Sequence, residues 1–176
     1  MPRKEKVREM FDNIAPTYDK LNHVLSLNVD KLWRRHALRE IVDGTPQRIL
    51  DVACGTGDST ISIAKAAAAG TEIIGADISE GMMALVKGKA EKAGVGERIT
   101  LQVADGEDLP YGEGTFDRVT CAFGIRNFEH KERGLSEFLR VLKSGGKAVI
   151  LELSVPQNRL VRGGYDLDFL HILPGI

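Results

Sequence analysis

From residue 48 onward, short apolar runs alternate with longer segments whose apolar positions recur every three or four residues. The runs at 48–53, 72–78, 99–104, 116–123 and 147–153 predict five strands. The segments at 58–69, 79–93 and 131–143 predict helices between them, with Ser79 as a cap and Ser144-Gly145-Gly146 as a stop. The stretch 105–115 holds Gly106, Pro110, Gly112 and Gly114 and carries no helical pattern. Strand 72–78 is almost wholly apolar, as befits a strand covered on both faces. Strand and helix in alternation predict a mainly parallel α/β sheet with helices on both faces. Ligands of such sheets sit outside the carboxyl ends of the strands, where the strand order reverses.

The N-terminal pattern differs. Residues 4–14 predict a charged helix that ends before Pro16, followed by a mixed aromatic and polar segment through Asp19. Asp30 is the expected N-cap of a second helix running to about Val42, with Leu32, Trp33, Ala37, Leu38 and Ile41 at helical spacing. Trp33 is assigned there to core packing. These helices, within 1–45, are expected to form a lid over the sheet's ligand, with Tyr18 the first residue of that lid to suspect. A phenol at a surface turn explains Tyr18 equally well. The core then spans 46–153 of a single domain, 1–176. Past 153 the pattern offers Gly163-Gly164, a short helix at 165–170 and Pro174-Gly175, with no further buried strand. The fifth strand would then be an open edge, covered by a further C-terminal part or by a second copy of the chain. The expectation is a chain cut short, with a homo-oligomer allowed.

Composition narrows the classes. The 176 residues are 43% apolar and 28% charged, with net charge -1. That balance gives no electrostatic footprint for nucleic acid. No apolar run reaches the length of a membrane span, and the charged N-terminus is unlike a signal peptide. Cys54 and Cys121 have no metal-ligand spacing, and as strand-end residues they are expected to be buried free thiols. A cytoplasmic protein is the resulting expectation.

The candidate chemistry gathers at strand ends. Asp51-Val52-Ala53-Cys54-Gly55-Thr56-Gly57-Asp58 follows the first strand and opens a helix. Gly55 and Gly57 leave the backbone open to a ligand. A dinucleotide fingerprint would place a third glycine where Thr60 stands, and Asp51 precedes Gly55 by four residues. An acid beside the turn suits a ligand with positive charge there, not a pyrophosphate. S-adenosylmethionine carries an ammonium and a sulfonium and no phosphate, so it is favoured over NAD. Asp77 ends the second strand, where a carboxylate, with Ile78 beside it, can accept ribose hydroxyls. Asp105 and Gly106 end the third strand, where an adenine could be met; a turn-forming aspartate is the competing role. Ala122 and Phe123 end the fourth. His130 and His171 stand alone, and no metal cluster or Ser-His-Asp pattern is legible.

Five motifs occur in order: Phe11-Asp-x-Ile-Ala-x-x-Tyr-Asp19, Leu50-Asp-Val-Ala-Cys-Gly-Thr-Gly-Asp58, Ala76-Asp-Ile-Ser79, Phe123-Gly-Ile-Arg-Asn127 and Arg140-Val-Leu-Lys-Ser-Gly-Gly146. Together with Phe169-Leu-His-Ile-Leu-Pro174 they resemble the ubiquinone/menaquinone biosynthesis C-methyltransferase family over essentially the whole chain. The resemblance implies a Rossmann-like class I methyltransferase fold and cofactor contacts at Thr56, Asp77, Asp105, Gly106 and position 122. That position is often Ser in the family and is Ala122 here. The family also continues past Pro174 into a β-hairpin on the sheet edge. The implied reaction is C-methylation of a polyprenylated hydroquinone, demethylmenaquinol above all. A ring carbon becomes nucleophilic when a neighbouring phenol ionises, so the site must stabilise the phenolate and lead its proton away. Arg126 and Asn127 are expected to hold the quinol oxygen while water takes the proton. Phe123, Phe128 and Phe169 are candidates for the prenyl pocket, with core packing as the alternative, and the substrate implies transient peripheral contact with membrane. Three other readings stay open: a methyltransferase of the benzoquinol or another small molecule, a non-catalytic S-adenosylmethionine-binding fragment, and a dehydrogenase, which Asp51 and Thr60 disfavour.

Overall fold

A computed structural model of the protein describes residues 4–25 and 29–152. The expectations placed on Phe169, His171, the helix at 165–170 and the region 154–176 lie outside them. The elements are α1 (Lys4–Leu25), α2 (Val29–Ile41), β1 (Arg48–Val52), α3 (Asp58–Ala66), β2 (Glu72–Asp77), α4 (Glu80–Lys92), β3 (Ile99–Val103), β4 (Phe116–Ala122), α5 (Lys131–Val141) and β5 (Leu142–Leu151). Short 3-10 turns lie at Gly96–Arg98 and Ile125–Asn127.

The five strands form one sheet in the order β3-β2-β1-β4-β5, with every pair parallel. The chain moves outward from β1 to β3, then crosses to β4 and moves outward again. The order therefore reverses between β1 and β4, and their carboxyl ends part there. Alternation along β1 sorts its side chains between two cores. Leu50 and Val52 pack with Phe116, Phe138 and Val141 on the α5 face, while Ile49 packs with Ile41, Ile61, Ile63 and Ala64 on the opposite face. Phe116 and Phe138 are fully buried, and each contributes about 1.5–3 kcal/mol.

Four sequence expectations are corrected. Helix α1 does not end before Pro16 but runs through it to Leu25. A proline there forfeits a backbone hydrogen bond, at about 3 kcal/mol or more. Docking offsets that: Val7 and Ala15 are buried, and Asp12 accepts from Ser79 Oγ at 2.5 Å and from the Gly81 N–H at 3.1 Å. Asp30 is no cap, because α2 begins one residue earlier; it is buried and paired with Arg34 at 3.6 Å. Helix α3 stops at Ala66, three residues short of the end of the alanine run at 66–69, because Ala67 is extended (ψ 147°). The Arg98 guanidinium takes the carbonyls of Ala64, Ala67 and Ala68 that a longer helix would use. Trp33 is not core: it is 37% exposed and tilts against Phe123 with ring centroids 6.3 Å apart. Smaller shifts occur at the last strand. Helix α5 ends at Val141, and β5 takes up the Ser-Gly-Gly stop as a bulge, with Phe116 opposite Leu142 and Arg118 opposite Lys147.

Candidate functional site

The site begins with two strained turns. Ala53, after β1, and Phe123, after β4, have φ of 54° and 59°, left-handed values that side chains other than glycine seldom adopt. They are neighbours at the switch point. Gly124 follows Phe123 because nothing larger fits: a Cβ there would lie 2.5 Å from the Ala53 Cβ and 2.9 Å from the Cys121 Sγ. Gly57 is needed for a different reason. Its φ is 86°, and a Cβ would meet Val86 of α4 at 2.6 Å.

These turns and the end of β2 border a cleft. Gly55, Asp77, Ile78, Asp105, Gly106 and Ala122 line its sheet side, and Asn127 and Phe123 line it from the turn after β4. Helix α1 closes it from above with Lys4, Val7, Phe11 and Tyr18. A smaller adjoining space shares Tyr18, Gly55 and Ala122 and adds Asp51, Thr56 and Arg34. Two sequence candidates line neither space. Gly57 acts through its packing on Val86. Arg126 points elsewhere: its guanidinium pairs with Glu152 at 3.1 Å, and its N–H donates to the same carboxylate at 3.2 Å.

The carboxylates are held in different ways. Asp51 is 1% exposed and accepts the Thr60 hydroxyl at 2.6 Å through Oδ2. Its Oδ1 is buried with no hydrogen-bond partner among the described residues. Burial pushes its pKa up to about 6, against the opposing pull of Thr60 and the Arg34 charge. Asp77 accepts the Gly55 N–H at 2.8 Å and the Ser79 N–H at 2.9 Å, one on each oxygen. Burial raises its pKa, and those two backbone donors work against the shift. A carboxylate offers about four lone-pair directions, so both oxygens keep acceptor capacity toward the cleft. Asp105 takes the turn-forming role, accepting the Glu107 N–H at 2.9 Å, and also accepts Lys4 Nζ at 2.5 Å. Thr56 donates its hydroxyl to Asp19 of α1, which also takes Lys89 Nζ at 2.6 Å. Cys54 and Cys121 are free and buried, and burial drives both thiol pKa values up, Cys121 to about 12.

Lys4, Val7, Met82 and Glu107 line the cleft without having been singled out in the sequence, and Phe128, a prenyl-pocket candidate, lines it with them. Phe128 carried a signal in the glycines around it. A Cβ on Gly106 would meet its ring at 2.4 Å, and a Cβ on Gly134 of α5 would do so at the same distance. Lys4 had none, because a lysine in a charged first turn is indistinguishable from a solvated one.

The model of the ubiE/COQ5 methyltransferase family matches residues 2–176. Among curated proteins, the chain is 49% identical over 172 residues to the ubiquinone/menaquinone biosynthesis C-methyltransferase UbiE of Geobacter sulfurreducens, covering 98% of this chain and 67% of that one. It is 50% identical over 154 residues to the demethylmenaquinone methyltransferase of Bacteroides fragilis, covering 88% of this chain and 62% of the relative. The chain thus spans about two thirds of the length of these relatives. Among solved structures, the [4+2]-cyclase SpnF superposes with a TM-score of 0.77 at 23% identity, over 89% of this chain and 62% of that one. That likeness is one of fold alone, since a cyclase and a methyltransferase share the scaffold.

Proposed function

The chain belongs to the ubiE/COQ5 methyltransferase family, a family of class I, Rossmann-like methyltransferases, and from that premise we propose that it methylates a ring carbon of a polyprenylated hydroquinone, demethylmenaquinol first. The observation that carries the reading is the junction of the two spaces at Gly55 and Ala122, with Asp51 beside one and Asp77 and Asn127 beside the other. S-adenosylmethionine is the cofactor, and when bound it supplies a methyl group already activated by the sulfonium. The residues fit it. The unpartnered buried Oδ1 of Asp51 is an acceptor for an ammonium, and the spare lone pairs of Asp77 suit a ribose diol. Ile78 and Gly106 line the part of the cleft assigned to the flat base in this reading.

Substrate activation falls to the turn after β4. Asn127 lines the cleft, and in this reading it orients the quinol hydroxyl, with water as proton acceptor. Arg126 stands one residue earlier, outside the lining. Its double hold on Glu152 makes it a positioning residue for that turn. Phe123 and Phe128 give the cleft an aromatic wall for the first prenyl units. The curated names cover both a naphthoquinol and a benzoquinol pathway, so the ring is decided by assay.

The test is calorimetric titration of the chain with S-adenosylmethionine, with NAD as control, followed by methyl transfer to demethylmenaquinol and to the benzoquinol in parallel. Cofactor binding with transfer to at least one quinol is expected. Tight cofactor binding with transfer to neither would overturn the proposal. Arg126→Ala is expected to lower kcat while cofactor affinity changes little, and Asn127→Ala to raise the quinol KM as well.

A further inference from the structure

A groove runs between α2, α3 and α4 and borders the smaller space, with which it shares Arg34 and Asp58. Lys31 and Arg35 of α2, Lys65 of α3 and Lys92 of α4 line it, and none of the four has an ion-pair partner among the described residues. Asp58, the acid within it, is taken by Lys89 at 2.5 Å. In a chain of net charge -1, four cations around one groove, without ion-pair partners among the described residues, leave a local positive potential.

The same helix exposes apolar surface. Leu32 is 53% exposed and Trp33 37% exposed. Lys31, Arg35 and Arg39 follow one another at four-residue steps, a single row along α2, and Leu32 begins the next row. Trp33 leans on Phe123, which lines the cleft. One helix therefore carries a cationic row, an exposed leucine and an exposed tryptophan, beside the entrance to the site.

The geometry points to α2 as the element that docks this protein on an anionic lipid surface, Leu32 and Trp33 entering the headgroup layer and the groove cations lying over lipid phosphates. Helices with cations on one row and Trp or Leu beside them lie in such interfaces, and tryptophan favours the headgroup level. The inference rests on the reading of a prenylated substrate, which resides in a bilayer and must reach the cleft from it. No helix of the described residues is long and apolar enough to cross a membrane, so the contact is with the surface. Nucleic acid would use the cations equally, but it gives no role to Leu32 and none to the position beside the cleft.

Trp33 is the only tryptophan in the chain, so its emission reports directly on this helix. The chain is mixed with phosphatidylcholine vesicles with and without phosphatidylglycerol, and with vesicles carrying brominated acyl chains. Binding to the anionic vesicles, a blue shift of Trp33 and quenching by the brominated lipid are expected. Lys31→Ala with Arg35→Ala should weaken vesicle binding roughly 25-fold, about fivefold for each cation lost. That variant should keep methyl transfer to a short-chain quinol dispersed in detergent. No binding to anionic vesicles would overturn the inference, as would binding with unshifted Trp33 emission or undiminished binding by the double variant. Capture of single- or double-stranded nucleic acid at a salt concentration that abolishes vesicle binding would assign the groove to nucleic acid instead. The two readings fail separately: transfer to dispersed quinol without vesicle binding sinks the docking alone, and vesicle binding without any transfer sinks the methylation.

Discussion

Lys4 Nζ donates to Asp105 Oδ2 at 2.5 Å, tying the first turn of α1 to the end of β3 across the mouth of the cleft. The other end of the described helix is tied as well, since Asp19 accepts from Thr56 and from Lys89 at 2.6 Å. The lid thus holds two groups, Thr56 and Asp105, that the family resemblance assigns to the cofactor. Both Lys4 and Asp105 are about one third exposed, so the pair contributes only about 0–1 kcal/mol. Lys4→Ala is expected to leave the melting temperature nearly unchanged while amide exchange in the first turns of α1 speeds up several-fold. Cofactor association should quicken too. Hydrogen exchange at unaltered rates would mean that Val7, Phe11 and Ala15 hold the lid by themselves.

Gly134 illustrates a helix position where alanine is the wrong choice. In an exposed helix, glycine to alanine gains roughly 1 kcal/mol. Here the new Cβ would lie 2.4 Å from Phe128 Cδ2 and 2.5 Å from Cε2, and overpacking of that kind costs about 1–3 kcal/mol. Gly134→Ala is expected to be net destabilising in urea. Adding Phe128→Leu should recover part of the loss, so the two changes couple favourably in a double-mutant cycle. Additive effects would show that the ring has room to move.

Arg98 is predicted to be worth more than its place at the end of a 3-10 turn suggests. It satisfies three carbonyls at the end of α3, with 2.9 Å to Ala67 and 2.8 Å to Ala68, and charged hydrogen bonds of this type contribute about 1.5–3 kcal/mol each at most. Arg98→Ala should lower stability by about 2 kcal/mol, and Arg98→Lys should recover little, because one ammonium cannot span three acceptors. Full rescue by lysine in thermal unfolding would show that charge alone is required.

The strand ends were legible because their chemistry is local. Asp51, Gly55, Asp77 and Gly106 each follow a recognisable apolar run, and a parallel sheet brings all such ends to one edge. Thr60 was legible only as a missing glycine, yet it is the donor that holds Asp51 in place. What escaped depends on contacts far apart in sequence. Pro16 predicts a helix end, and only the docking of Asp12 on Ser79 and Gly81, 67 and 69 residues away, explains the helix that continues. The alanine run after α3 predicts more helix, and Arg98 in another element decides otherwise. Arg126 and Asn127 are adjacent in sequence and were read as a pair, but a 3-10 turn sends neighbouring side chains to different sides. One faces the cleft and the other faces Glu152.

Asp51 gives the sharpest pH dependence. Its folded pKa is about 6 against an ordinary 3.8, with burial as the leading cause. The folded state therefore holds the proton more tightly than the unfolded chain does. The resulting stabilisation is complete below about pH 4 and is lost as pH rises through about 6, a change on the order of 3 kcal/mol. Asp51→Asn cannot ionise, so the wild type should lose stability relative to this variant between those limits. Urea unfolding of both proteins from pH 4 to 7.5 measures the difference, and parallel curves would mean that Asp51 titrates in the folded protein as it does in the unfolded chain. Near neutral pH the variant should be the more stable protein by about 1–2 kcal/mol, part of the gain being offset by a buried amide N–H₂ with no acceptor where Oδ1 now stands. It should also bind S-adenosylmethionine at least tenfold more weakly, since the charge that costs stability is the one offered to the cofactor's ammonium. Below pH 6 the wild type's own affinity should fall for the same reason, with a proton released on binding. Titration in buffers of different ionisation enthalpy detects that proton, and its absence would place the ammonium elsewhere.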